Sequence, residues 1–171
     1  MKPKSILRRL QKRARNRLLT RDGGVCVVCV SQERVEAAHV MMPPTNYFLS
    51  HTYETDEQLE KDAALYYQDK NMLLLCRKCH MLYDYPYLLQ EFAADVGREK
   101  ATGLVMRVLI DAGVTLKDLK GGGHERVRDR VMDHMFVLYG SDYGKFLEEL
   151  RNAERKRKKE VRKRERGEEQ N

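Results

Sequence analysis

The sequence predicts an α+β protein, a small strand-bearing core built around two cysteine pairs and followed by a mainly α-helical C-terminal extension. Three observations predict it. All four cysteines of the 171-residue chain fall in two pairs, Cys26-x-x-Cys29 and Cys76-x-x-Cys79. Each pair adjoins a short run of strand character, Arg34 to Met41 after the first and Met72 to Leu75 before the second. Beyond Pro86 the apolar residues recur at helical spacing.

The first element is a helix over residues 4–20, where Ile6, Leu7, Leu10, Leu18 and Leu19 form a narrow apolar stripe beside a broad cationic face. Asp22, Gly23 and Gly24 end it. The first knuckle follows at Val25 to Val30, then a strand that carries His39 near its end, and Pro43-Pro44 force an extended exit. Residues 45–70 are a long connection holding one helix, over Asp56 to Gln68. Asn71 precedes the second strand, which delivers the second knuckle, and a helix beginning near Cys79 sets His80 and Asp84 on one face. Three helices are expected next, at Tyr87 to Val96, Lys100 to Ala112 and Glu125 to Tyr139, punctuated by Gly97, Gly113 and Gly121-Gly122-Gly123. Ser141 is the expected N-cap of a last helix bearing Tyr143, Phe146, Leu147 and Leu150. After it the charged tail has nothing with which to pack into a core. The organisation is thus a basic N-terminal helix (1–22), a knuckle domain (23–86), a helical extension (87–150) and a charged tail (151–171).

Charge is unevenly spread. Residues 1–21 carry nine Lys/Arg and no acid, and residues 151–171 carry ten Lys/Arg against five Glu, so a net charge of +7 leaves seven excess negative charges between them. Two basic arms on an acidic body point to a polyanionic partner. No run of roughly 20 apolar residues exists to span a membrane. No apolar segment follows the basic N-terminus as a secretory leader requires, so the expected location is the cytosol. There, paired thiols two residues apart point to a tetrahedral zinc site, with a redox pair or buried thiols as the alternatives.

A basic helix, CxxC, a strand ending in His39, Asn71, a second CxxC and a His directly after it resemble, in that order, the HNH endonucleases of the His-Me finger group. The strings that carry the resemblance are GGVCVVC at 23–29, EAAHVMMPP at 36–44 and NMLLLCRKCHMLYD at 71–84. The resemblance implies a ββα-metal core stapled by a structural zinc on Cys26, Cys29, Cys76 and Cys79, and hydrolysis of DNA phosphodiester bonds. It implies His39 as the general base, Asn71 as the residue that ties the loop aiming that base, and His80 as a ligand of a catalytic Mg²⁺ or Mn²⁺. The pattern departs at Ala38, where many members carry a second metal ligand. Glu36 lies on the same face of the strand and could reach the ion. Asp84, four residues after His80, could fix its tautomer. The expected substrate is double-stranded DNA, met through phosphate contacts from Arg8, Arg9, Lys12, Arg13, Arg15 and Arg17. The alternatives are a zinc-stapled nucleic-acid-binding protein without turnover, and a module whose helical region binds another protein.

Overall fold

The computed structural model describes residues 3–166, so residues 1 and 2 of the basic segment and 167–171 of the tail lie outside the described residues. The core is a two-stranded antiparallel sheet of β1 (Val35–His39) and β2 (Met72–Cys76), in register from Val35 opposite Cys76 to His39 opposite Met72. Helix α1 (Pro3–Arg21) covers the sheet, and so does α4 (Arg77–Val96), which leaves β2 directly. Enclosure between two helices explains the unbroken apolar sequence of β2, whose five residues are all buried. In α1 the stripe that reaches the core is Ile6, Leu7, Ala14 and Leu18, with Leu10 and Leu19 at its margin.

The connection between the strands holds two helices, α2 (Thr45–Ser50) and α3 (Asp56–Ala64), where one was expected. Thr55 caps α3 by accepting from the Gln58 backbone N–H. The six residues of α2 are too few to show a helical period. The extension contains α5 (Arg98–Asp111), α6 (Leu116–Lys120), α7 (Gly123–Tyr139) and α8 (Ser141–Glu165). Helix α6, with a Thr115/Asp118 capping box, was likewise too short to be predicted. It turns into α7 so tightly that a Cβ on Gly123 would stand 2.4 Å from the Asp118 carbonyl oxygen. No described helix is long and apolar enough to cross a membrane.

Three expectations are corrected. Helix α4 starts at Arg77 and runs unbroken through Pro86, so the helix after the second knuckle and the one expected from Tyr87 are one. A proline costs a helix one backbone hydrogen bond, and here Leu82 on one turn and Leu88 and Phe92 on later ones still pack on the core. Ser141 is not the cap of α8, because Gly140 holds that position with a positive φ of 56°. The tail does pack. Arg157 of α8 is buried, with its guanidinium 4.8 to 5.7 Å from the rings of Tyr47, Phe48 and Tyr66 and its Nη2 2.9 Å from the Asp62 carboxylate.

Candidate functional site

The first knuckle is a tight turn in which the Cys26 N–H donates to the Ser31 carbonyl at 2.8 Å and the Val30 N–H returns to the Cys26 carbonyl at 2.8 Å. Val30 pays for the closure with a φ of 62°, a conformation that β-branched residues rarely adopt. The Val27 N–H donates to Leu74 at 3.0 Å, fastening the knuckle to β2. Cys76 ends β2, and Cys79 sits on the first turn of α4.

The four sulfurs lie within 4.8 Å of one another, and Cys29 and Cys76 approach to 3.5 Å. Tetrahedral zinc with Zn–S bonds of ~2.3 Å needs sulfurs ~3.8 Å apart, so the cluster fits such an ion with little movement. A hydrogen bond from the Cys79 thiol, opposed by burial and aided by backbone N–H groups, pulls the Cys26 thiol down to about 4. The same sharing pushes Cys79 up. Cys26, Cys76 and Cys79 are buried and Cys29 is exposed, so one flank of the cluster meets solvent.

Next to this cluster the structure brings His80, Glu36 and Asp84 together. His80 Nδ1 is 2.9 Å from Glu36 Oε2, and Nε2 is 3.2 Å from Asp84 Oδ2. Burial alone would lower the His80 pKa, but the two carboxylates outweigh it and raise it. Ala38 is fully buried and offers no donor atom.

His39 closes β1. Strand alternation turns it to the opposite face from Glu36, where its ring meets Tyr67 edge-on at 5.1 Å between centroids. Burial, reinforced by the charge of His80, pulls it down to about 3, so the imidazole is neutral at neutral pH. Its Nε2 is buried without a hydrogen-bond partner, and 7% of the residue is accessible. Asn71 is completely buried and stitches the exit from β1. Its Nδ2 donates to the Met41 and Tyr66 carbonyls, and its Oδ1 accepts from the Met41 N–H, each at 2.9 Å. Its carbonyl accepts from the Val40 N–H at 2.8 Å, one residue beyond His39.

The six cations expected at a phosphate backbone divide into two groups. Arg9 pairs with Glu60, Arg13 lies 4.0 Å from the same carboxylate, and Arg17 contacts Asp69 at 2.8 Å and the Tyr67 carbonyl at 2.9 Å. Arg8, Lys12 and Arg15 make no ion pair with the described residues; with Lys4 they form an exposed strip along the outer face of α1.

Sequence reasoning missed Tyr67, which backs His39, and Gln11, whose Nε2 donates to the Ala37 carbonyl at 2.9 Å. Both act across long sequence separations, and only the adjacent Tyr66-Tyr67 pair hinted at a buried aromatic wall. His134 is largely covered, 26% exposed, and stands 3.7 Å from Asp22. His124 is similarly half-covered, against Tyr85.

Two strands, a helix leaving the second strand, and a cluster of four cysteines that could hold a metal ion define a small α+β unit. Residues 26–88, which contain both strands, all four cysteines and the first part of α4, match the family model of the HNH endonucleases, a match that suggests nuclease activity and a nucleic-acid substrate. No curated protein and no solved structure matches the chain.

Proposed function

We propose that the protein is a metal-dependent endonuclease that hydrolyses phosphodiester bonds in double-stranded DNA on a zinc-stapled ββα-metal core. His39 takes a proton from water. The resulting hydroxide attacks phosphorus, the bond to the leaving oxygen breaks, and that oxygen is protonated from solvent. His80 and Glu36 hold the catalytic Mg²⁺ or Mn²⁺, with Glu36 replacing the donor that Ala38 lacks and Asp84 orienting the ring. When bound, the ion supplies Lewis-acid neutralisation of charge developing on the phosphate. Asn71 is a positioning residue that ties the chain just after the base to the backbone at Tyr66. Arg8, Lys12 and Arg15 attract the duplex backbone, while Arg9, Arg13 and Arg17 brace α1 against the strand connection.

The observation that supports this reading best is that His39 at the end of β1, Asn71 just before β2 and His80 on the first turn of α4 all fall inside the segment that matches the HNH endonucleases, with His80 near enough for its charge to act on His39. Conversion of supercoiled plasmid to nicked or linear forms, in Mg²⁺, Mn²⁺ or EDTA, tests it. Zinc-loaded protein should cleave only with the divalent ion, and His39→Ala should lose activity by ~10²-fold or more while keeping its zinc.

A second reading, a nucleic-acid-binding protein without turnover on the same core, draws on Ala38 and on the burial of His39. Salt-sensitive duplex binding with no cleavage in any of these ions would select it.

A further inference from the structure

A cleft of about 210 Å³ opens between the segment following His39 and the helical extension. Val40, Met41 and Met42 form one wall, Tyr83 and Asp84 of α4 the floor, and Arg128 of α7 reaches in from outside the HNH-matching residues. Tyr83 closes the wall by donating its hydroxyl to the Val40 carbonyl at 2.8 Å. The cleft therefore adjoins the stretch that Asn71 pins, and its floor residue Asp84 is the carboxylate that holds His80.

Arg128 is exposed and makes no ion pair or hydrogen bond with the described residues, although Asp84 and Glu154 line the same cleft. Both carboxylates are already engaged, Asp84 by His80 at 3.2 Å and Glu154 by Lys158 at 3.3 Å. The guanidinium stands close enough to Tyr83 for its charge to oppose the burial that pushes that phenol up to about 12. A guanidinium left unpaired in an open cleft has its planar fork of donors available for an oxyanion, and a phosphate diester matches that fork in shape and charge.

We infer that Arg128 grips a backbone phosphate of the nucleic-acid strand lying in the active site, so that the helical extension completes the substrate site. This rests on the nuclease reading, and it makes α7 part of the catalytic architecture as well as packing for α4. Because the strip on α1 supplies the long-range attraction, loss of Arg128 changes how the strand is seated more than how much duplex is captured.

The experiment compares wild type, Arg128→Ala, Arg128→Lys and Arg130→Ala. Arg130 is exposed and points about 200° around α7 from Arg128, so it serves as the control cation. Cleavage of a duplex with Mg²⁺, and salt-dependent binding of the same duplex with Ca²⁺, are measured on each full-length, zinc-loaded protein. Arg128→Ala should lower kcat ~10- to 100-fold with KM changed less than threefold, Arg128→Lys should recover part of the loss, and Arg130→Ala should match wild type. Equal cleavage by Arg128→Ala and Arg130→Ala overturns the inference while the nuclease reading stands. If wild type does not cleave in any ion, the nuclease reading fails. Arg128 then still holds phosphate if its removal alone reduces the salt slope of binding by ~1, and the inference falls as well if both variants bind like wild type.

Discussion

Asn71 has the most to lose by substitution, and its environment allows the loss to be worked out. Asn71→Ala removes three side-chain hydrogen bonds and leaves the Met41 N–H, the Met41 carbonyl and the Tyr66 carbonyl without those partners in the interior. At about 1 kcal/mol or slightly more for each, the variant loses about 3–4 kcal/mol. In a chain of this size that lowers Tm by roughly 10 °C. Asn71→Asp sharpens the argument, because its shape is the same. One oxygen still accepts from Met41, but the other replaces an NH₂ that donates to two carbonyl oxygens, and a charge is buried against them. The Asp variant should therefore be less stable than the Ala variant at neutral pH, and it should regain part of the difference as acid neutralises the carboxyl. Thermal and urea unfolding of zinc-loaded proteins, with metal content measured beside them, read both effects. An Ala variant melting within 2 °C of wild type, or an Asp variant more stable than the Ala variant, would refute the stitching role. Both variants should also lose cleavage while retaining zinc, since the tie lies between β1 and the loop and not at the thiols.

Cys79→Ser, or a strong chelator, should remove a single bound zinc and lower Tm by roughly 10 °C or more, read by a colorimetric zinc-release assay with calorimetry; wild type melting identically with and without the metal would contradict a structural role. Asp22 is buried, an effect that alone would raise its pKa, yet His134, Arg21 and the Leu74 N–H hold it at about 2. A depressed carboxyl contributes stability above its unfolded pKa near 3.8 and loses it as pH falls through about 2, so Asp22→Asn should cost about 2 kcal/mol at pH 7 and almost nothing at pH 2, read by urea unfolding of both proteins at each pH. Arg157→Met keeps the bulk of the side chain but removes its bonds to the Asp62 carboxylate and carbonyl and to the Tyr66 hydroxyl, and should cost about 2 kcal/mol and speed proteolysis of α8 at unchanged zinc content. Glu36→Gln should raise the Mg²⁺ concentration for half-maximal cleavage ~10-fold or more without changing Tm, and an unchanged metal requirement would remove Glu36 from the ion site.

What could be read from the sequence is what local spacing encodes. The two CxxC pairs, the apolar run of β2 and the stripe on α1 each follow from periodicity or ligand spacing within a few residues. The unbroken α4 was hidden because a proline ordinarily ends a helix, and only the packing of Leu82, Leu88 and Phe92 shows why it does not here. Arg157 was hidden more deeply. In a run of Arg, Lys and Glu nothing distinguishes it from its neighbours, and its burial depends on Tyr47, Phe48, Asp62 and Tyr66, about 90 residues or more away. The division of the α1 cations has the same origin, since Glu60 and Asp69 choose which of them are neutralised.

In the proposed mechanism two donor sets divide the work between a structural and a catalytic metal. Four convergent thiols favour a soft ion such as zinc, whereas the His80 imidazole and Glu36 carboxylate, with Asp84 orienting the ring, suit a harder, more exchangeable one. The sets are adjacent, because Cys79 and His80 are consecutive on the first turn of α4, and this adjacency couples them in one direction. Releasing the thiols uncouples the first turn of α4, which carries Cys79 and His80, from the first knuckle, so it should also loosen His80. Withdrawing a hard ion leaves His80 held by two carboxylates and α4 in place. Loss of the structural metal should therefore abolish both fold and function, while loss of the catalytic one should abolish function alone.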